Sequence, residues 1–375
     1  MPWGQEGESG EAVLAAFGAG LKWIILVLLG VEIFCFLAIT ITNLMVFHHP
    51  WEGSPANYDA YAIFLNAEGV EPTRNNPVEA SRDRDEKAPR RLWFLGDSTM
   101  RGGWVQEGET IPSFLAGILN QSDKPDKTIL TNYGENSFNS LLETKYLQKL
   151  LIETAKAPDL IIFYDGANDC AYFNQYRTPQ AHYGYRRLQG LIESYRRSYF
   201  SLFKPLYGAL YSSFTLEAFD RFRQAMVSVH PENPVPQEFV AETCKRYEHV
   251  HKLASAYGAE FLLVWQPILW VETGNVDPRV KEKEQDLSIM GARFLKVRQN
   301  LATTYDMLAA SLKDKPYFVD FRNTLCSRTT PIYKADGVHL NALGNKMVAT
   351  RLAETLRARE WLKNGDAVPG GRSGT

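Results

Sequence analysis

The chain has 375 residues, 41 of them basic and 43 acidic, for a formal charge of −2. At roughly 150 residues per domain that length allows two or three units, or one larger α/β domain with insertions. With 45% hydrophobic and 22% charged residues the composition is globular, which excludes disorder, collagen-like fibres and coiled coils as the main theme. The balanced charge argues against a nucleic-acid partner, and four cysteines without a C-x-x-C pair supply neither a disulfide scaffold nor a structural zinc site.

Residues 1–22 read as a short cytoplasmic segment. From Trp23 to Phe47 the sequence is almost continuously apolar, with Glu32 its only charge. Twenty-five helical residues rise roughly 37 Å at about 1.5 Å each, enough to cross a hydrocarbon core of ~30 Å. No A-x-A cleavage pattern follows, so 23–47 is expected to persist as a transmembrane anchor. Lys22 precedes the span and no Lys or Arg follows until Arg74. The positive-inside rule then places the remainder outside the cytoplasm, on the extracytoplasmic or periplasmic side of the plasma (inner) membrane. Glu32 is costly in such a span. It reads either as a contact to a membrane-protein partner or as a protonated or snorkelling carboxylate.

Residues 48–90, with Pro, Gly, Asn and the charge run at 81–87, read as a linker. Beyond it, strand-length apolar runs alternate with amphipathic helical stretches over 91–362, and 363–375 read as a flexible tail. Strands are predicted at 91–95, 128–133, 159–165, 260–265 and 317–321. Helices are predicted at 110–121 (Thr110 at the N-cap, Pro112 in the first turn), 140–156, 238–257, 288–312 and 342–362. This alternation predicts an α/β fold, a parallel sheet with helices on both faces, and ligands in such folds bind outside the C-terminal strand ends.

Three of those strand ends carry polar clusters: Gly96-Asp97-Ser98, Tyr133-Gly134-Glu135-Asn136 and Gly166-Ala167-Asn168-Asp169. A fourth, Asp336-Gly337-Val338-His339, follows the last strand. Each alone is an ordinary turn sequence; four in order along one sheet edge are not. A serine hydroxyl needs a base to become a nucleophile, and histidine titrates in the right range. The histidine in turn needs a carboxylate on its other ring nitrogen. Ser98, His339 and Asp336 fill these roles, with Asp336 three residues before His339 on one loop. Candidate donors for an oxyanion are the Ser98 and Gly134 N–H groups and the Asn168 amide, glycine at 134 allowing close approach of the substrate to the backbone.

On these residues the sequence resembles the SGNH hydrolases, the GDSL esterase/lipase superfamily, whose name-giving residues correspond to Ser98, Gly134, Asn168 and His339, with Asp336 completing a D-x-x-H motif. The resemblance implies a flavodoxin-like three-layer α/β/α domain over about 90–362 and ester hydrolysis through an acyl-serine intermediate, without metal or organic cofactor. The leucine that usually follows G-D-S is replaced here, Thr99-Met100 following Ser98. An α/β-hydrolase elbow, G-x-S-x-G, is disfavoured because position 100 is Met.

The expected function is a membrane-anchored serine esterase acting on O-acyl, above all O-acetyl, esters of envelope or secreted polysaccharide. Acyl transfer by the same triad, or a scaffold role in a membrane complex with Glu32 as a contact, are the alternatives. An insert at about 171–237 is rich in Tyr, Phe and Arg and suits a membrane interface, a substrate lid or a plain helical subdomain. Glu248-x-x-His251 is half of a di-metal motif without a second copy. Cys170 is either a buried thiol or a disulfide partner of Cys244 or Cys326.

Overall fold

The computed structural model describes residues 6–47, 56–66, 90–120, 128–197, 208, 213–288 and 294–361. The chain divides into two compact units, one formed by 1–52 with 184–226 and the other by 53–183 with 227–375.

In the larger unit, β3 (Arg90–Gly96), β4 (Thr128–Asn132), β5 (Leu160–Asp165), β6 (Glu260–Trp265) and β7 (Phe318–Asp320) form a parallel sheet of order β4-β3-β5-β6-β7. This is the flavodoxin-like order, and its switch point lies between β3 and β5. Every residue of β5 is buried, as a strand covered on both faces requires. Alternation sends Trp93, Leu95, Ile161, Phe163, Leu263 and Trp265 to one face and Leu92, Phe94, Ile162, Leu262 and Val264 to the other.

The first face packs on α4 (Ser140–Glu153), α5 (Ala167–Tyr176), α8 (Pro234–Ala256) and α10 (Leu295–Leu312). The second packs on α3 (Ile111–Leu119) and α11 (Ala342–Ala358). Each large side chain fully buried this way is worth about 1.5–3 kcal/mol over its exposed state. Register aligns the strand ends: Gly96 lies opposite Tyr164, and Asp165 opposite Trp265, so the loops after β3, β5 and β6 leave the sheet at one edge.

Three expectations are corrected. The linker expected over 48–90 contains an antiparallel hairpin, β1 (Ala56–Asp59) and β2 (Ile63–Asn66). Four-residue strands are too short to show periodicity; this pair is held by tertiary contacts, with Ala62 fully buried, Phe64 edge-on to Phe138 and Asp59 paired with Lys149. The helix expected over 288–312 starts later, at Leu295 (α10), with residues 289–293 outside the described set, and a separate helix, α9 (Pro278–Leu287), precedes it. Asp277 caps α9, its side chain accepting from Arg279 N, and Pro278 sits in the first turn. The insert expected from 171 is narrower, because α5 belongs to the larger unit and only 184–226 group with the N-terminus. The tail expected at 363–375 lies outside the described residues.

In the smaller unit, α1 (Glu6–Phe47) contains one stretch, Ala15–Met45, long and apolar enough to cross a membrane. α6 (Tyr185–Arg197) and α7 (Phe214–Met226) complete the unit. The Glu32 carboxylate finds partners within its own chain. It accepts from Phe214 N (2.6 Å), Thr215 N (3.1 Å) and Thr215 Oγ1 (2.6 Å), capping the start of α7.

Candidate active site

β3 delivers Gly96 to the sheet edge, and the chain turns at once into the single-turn helix α2 (Ser98–Arg101). Asp97 caps it by accepting from Thr99 N at 2.7 Å, and Gly102 ends it in the left-handed region. Ser98 thus stands at the first helical position, half-buried, and its N–H has no acceptor among the described residues.

The partner loop, 333–341, is a tight return closed by a bridge between Tyr333 and Leu340, with Lys334 N donating to His339 O (2.8 Å) and Gly337 N to Lys334 O (2.9 Å). Within it, Asp336 Oδ1 accepts from Val338 N (2.8 Å) and His339 N (2.9 Å), while Oδ2 meets His339 Nδ1 at 2.6 Å. His339 Nε2 lies 2.7 Å from Ser98 Oγ. A carboxylate only accepts, so the proton sits on Nδ1 and Nε2 is free to accept from the serine hydroxyl. Burial pushes the Asp336 carboxyl upward, but the charge and hydrogen bond of His339 and the two backbone donors outweigh it and hold its pKa below the ordinary value. Residues 241 apart in sequence therefore form one hydrogen-bonded line, its imidazole end still 16% exposed.

Gly134 is brought beside this line, in another role than expected. A Cβ on it would lie 2.5 Å from Arg101 N and 2.9 Å from Met100 C, so the close approach glycine allows is to the backbone of α2. Its N–H donates to Asn132 Oδ1 (2.9 Å), and Asn132 Nδ2 donates to Met100 O (2.9 Å). The Gly134 N–H, expected from the sequence to face an oxyanion, is held in this structure by the buried Asn132 side chain. Asn168 is half-buried at the start of α5; one amide proton goes to Phe138 O (2.7 Å), leaving the second for another acceptor. The turn that carries it depends on Gly166, at φ +134°, where any Cβ would strike the Tyr305 hydroxyl at 2.3 Å.

Several supporting residues were not read from the sequence. Asn132 carries no motif, its only signal being a polar residue ending an apolar strand. Thr99, the departure from G-D-S-L, donates its hydroxyl to buried Asp97 (2.5 Å) and lies 3.2 Å from Gln266 Oε1, tying α2 to the loop after β6. Gln266 O in turn accepts from Tyr305 OH (2.6 Å). Trp104, 49% exposed, lies with its ring 5.3 Å from that of His339.

Beneath the strand ends, Asp169 accepts from Ser140 N and Oγ and pairs with Arg246 (3.4 Å), which fixes the Asn168–Asp169 turn. Asp165 accepts from Tyr247 OH (3.0 Å), and the buried Glu143 carboxyl is close enough to feel its charge. Burial first, and a neighbouring acid second (Asp165 for Glu143, Asp169 for Asp165), push both carboxyls well above the usual carboxylate range. Other residues singled out in the sequence lie elsewhere: Glu248 pairs with Lys252 and Lys315, and His249 meets Gln148 at 3.4 Å. Cys170, Cys244 and Cys326 are free thiols, and Cys170 is fully buried.

A profile of the family described as GDSL-like Lipase/Acylhydrolase matches residues 92–352. The chain belongs to this family. It is accordingly a serine esterase of the SGNH type. No curated protein sequence matches. Solved structures similar to it include a member of the lipolytic G-D-S-L family from Veillonella parvula, at 18% identity and TM-score 0.36, covering 72% of this chain and 98% of that one. The carbohydrate acetylesterase Est24 of Sinorhizobium meliloti is similar at 16% identity and TM-score 0.37, covering 72% and 99%. The psychrotrophic esterase EstA of a Pseudoalteromonas species is similar at 12% identity and TM-score 0.37, covering 73% and 100%.

Proposed function

We propose that this esterase is anchored in the plasma (inner) membrane by α1, faces the extracytoplasmic side, and removes O-acetyl groups from envelope or secreted polysaccharide through an acyl-serine intermediate. The observation that carries the chemistry is the unbroken line Asp336 Oδ2–His339 Nδ1 (2.6 Å) and His339 Nε2–Ser98 Oγ (2.7 Å). Ser98 Oγ attacks the ester carbonyl while its proton passes to His339 Nε2, and Asp336 stabilises the imidazolium that results. The carbonyl oxygen becomes an oxyanion, received by the Ser98 N–H and the second Asn168 amide proton. Collapse expels the sugar alcohol, which takes the proton from His339. Water, deprotonated by His339, then releases acetate and restores Ser98.

A glycan alcohol is favoured by Trp104, whose exposed indole beside His339 gives the apolar face of a sugar ring a flat surface to stack on. The outward orientation rests on the single flanking Lys22 and the absence of Lys or Arg from 48 to 73. The test is release of acetate from acetylated glycans and from a small acetyl ester by the full chain and by Ser98→Ala. Acetate release lost in the variant, with an acetyl adduct trapped at Ser98 in the wild type, supports the reading. Retained activity in Ser98→Ala refutes the roles, and a preference for long acyl chains over acetyl refutes the substrate.

A further inference from the structure

Helix α7, with α6 paired to it, packs on the apolar helix α1 in an inside-out arrangement. The half-buried or buried side chains Glu32, Cys35, Ile39 and Asn43 of α1 fall three and four apart, one stripe along the helix. α7 meets that stripe along its length: its first turn is capped by Glu32, Phe214 lies edge-on to Phe36 with centroids 4.9 Å apart, and Arg221 Nη1 donates to Asn43 Oδ1 at 3.1 Å. Several charges of α6 and α7 turn inward, while Arg187 stays exposed. Asp220 is fully buried between Arg186 and Arg223, and Glu217 pairs with Arg221 at 2.8 Å. The large apolar side chains turn outward: Phe219, Phe222 and Met226 are 56%, 62% and 62% exposed at helical spacing on α7, joined by Leu191 and Ile192 on α6. In water that arrangement is backwards, because contiguous exposed apolar faces mark an interaction surface.

Resting on the reading of α1 as a membrane anchor, we propose that α7, with α6 beside it, is a second membrane element, seated against the outer half of α1 with the Phe219–Phe222–Met226 face in contact with lipid. Three observations select a bilayer as the occupant. The outward face belongs to the helix packed directly on the Ala15–Met45 apolar span, so one apolar surface continues into the other. The sequence from 184 to 226 carries seven basic and three acidic residues, a balance suited to an anionic headgroup layer. Glu32 and the start of α7 solve one another's problem: two N–H groups and a hydroxyl, which away from water would each cost several kcal/mol unpaired, receive a carboxylate that would otherwise be stranded in the span.

The test reconstitutes the full chain in nanodiscs of mixed anionic and zwitterionic phospholipid and irradiates it with a bilayer-confined aryl diazirine, mapping carbene adducts by mass spectrometry. The proposal expects adducts per residue on 214–226 within about threefold of those on α1 and at least about tenfold above peptides of the hydrolase-like unit, as for a helix lying at the acyl boundary. Label on α1 with none on 214–226 overturns the proposal and leaves the anchor standing; label on neither removes the anchor itself. In Glu32→Ala, hydrogen exchange at the Phe214 and Thr215 amides is expected to rise while α1 stays labelled. Unchanged exchange there overturns the coupling of Glu32 to α7.

Discussion

Asp336→Asn isolates what the carboxylate contributes. The amide oxygen can still accept from Val338 N and His339 N, so the loop keeps its local bonds. What faces His339 Nδ1 is then an NH2 group, which only donates. Nδ1 must become the acceptor, the ring proton moves to Nε2, and the nitrogen 2.7 Å from Ser98 Oγ can no longer take the serine proton. A wrong tautomer in an otherwise intact triad costs about 10⁴-fold in kcat, or about 5.5 kcal/mol at 1.36 kcal/mol per decade. The assay is kcat/KM on a small acetyl ester between pH 5 and 9, beside thermal unfolding of the same preparations. The expected outcome is a near-complete loss at neutral pH, partly relieved as hydroxide replaces the base, with Tm little changed. Activity within tenfold of wild type, with the fold intact, would show that His339 orientation does not depend on this carboxylate and would refute the tautomer argument.

Three further outcomes follow from the packing. Gly134→Ala places a Cβ 2.5 Å from Arg101 N, a backbone atom that cannot swing aside; overpacking of this kind costs about 1–3 kcal/mol, and shifting the Ser98 turn by about 1 Å lowers kcat on the order of 10²-fold, so a variant with wild-type kcat and Tm would contradict it. Glu143 has a pKa raised by burial and by Asp165, so its stabilising contribution is complete below the ordinary carboxylate pKa and is lost as pH rises through the raised one. Glu143→Gln removes that titration, and its Tm relative to wild type is expected to climb from pH 5 to 9; a flat difference would show that the Glu143 pKa is not raised. Arg328→Met strands Glu272 and Glu284, both fully buried in their pairing with Arg328, and should cost about 3–5 kcal/mol in denaturant unfolding, a loss below 1 kcal/mol counting against a desolvated network.

Much of this protein is legible along the chain because it is local. The fully buried strand β5 is apolar up to its last residue, Asp165, β3 and β6 largely so, and the helix α3 is capped by Thr110, which accepts from Ser113 N with Pro112 in the first turn, as the sequence predicts. The polar clusters at 97–98, 134, 168 and 336–339 are likewise visible, since each sits where a strand stops. Only the tertiary structure decides what those clusters touch. That Gly134 serves the approach of α2 and lends its N–H to Asn132 follows from two strand ends meeting, which no spacing encodes. The hairpin at 56–66 exists because the core offers Phe138 and Lys149 to hold it. Glu32, anomalous as one letter in an apolar run, is ordinary once a helix 182 residues later presents N–H groups to it. Sequence sets the periodicities and the chemistry each residue brings; the fold sets the partners, because hydrogen bonds and burial depend on distance in space, which the chain leaves open until it closes on itself.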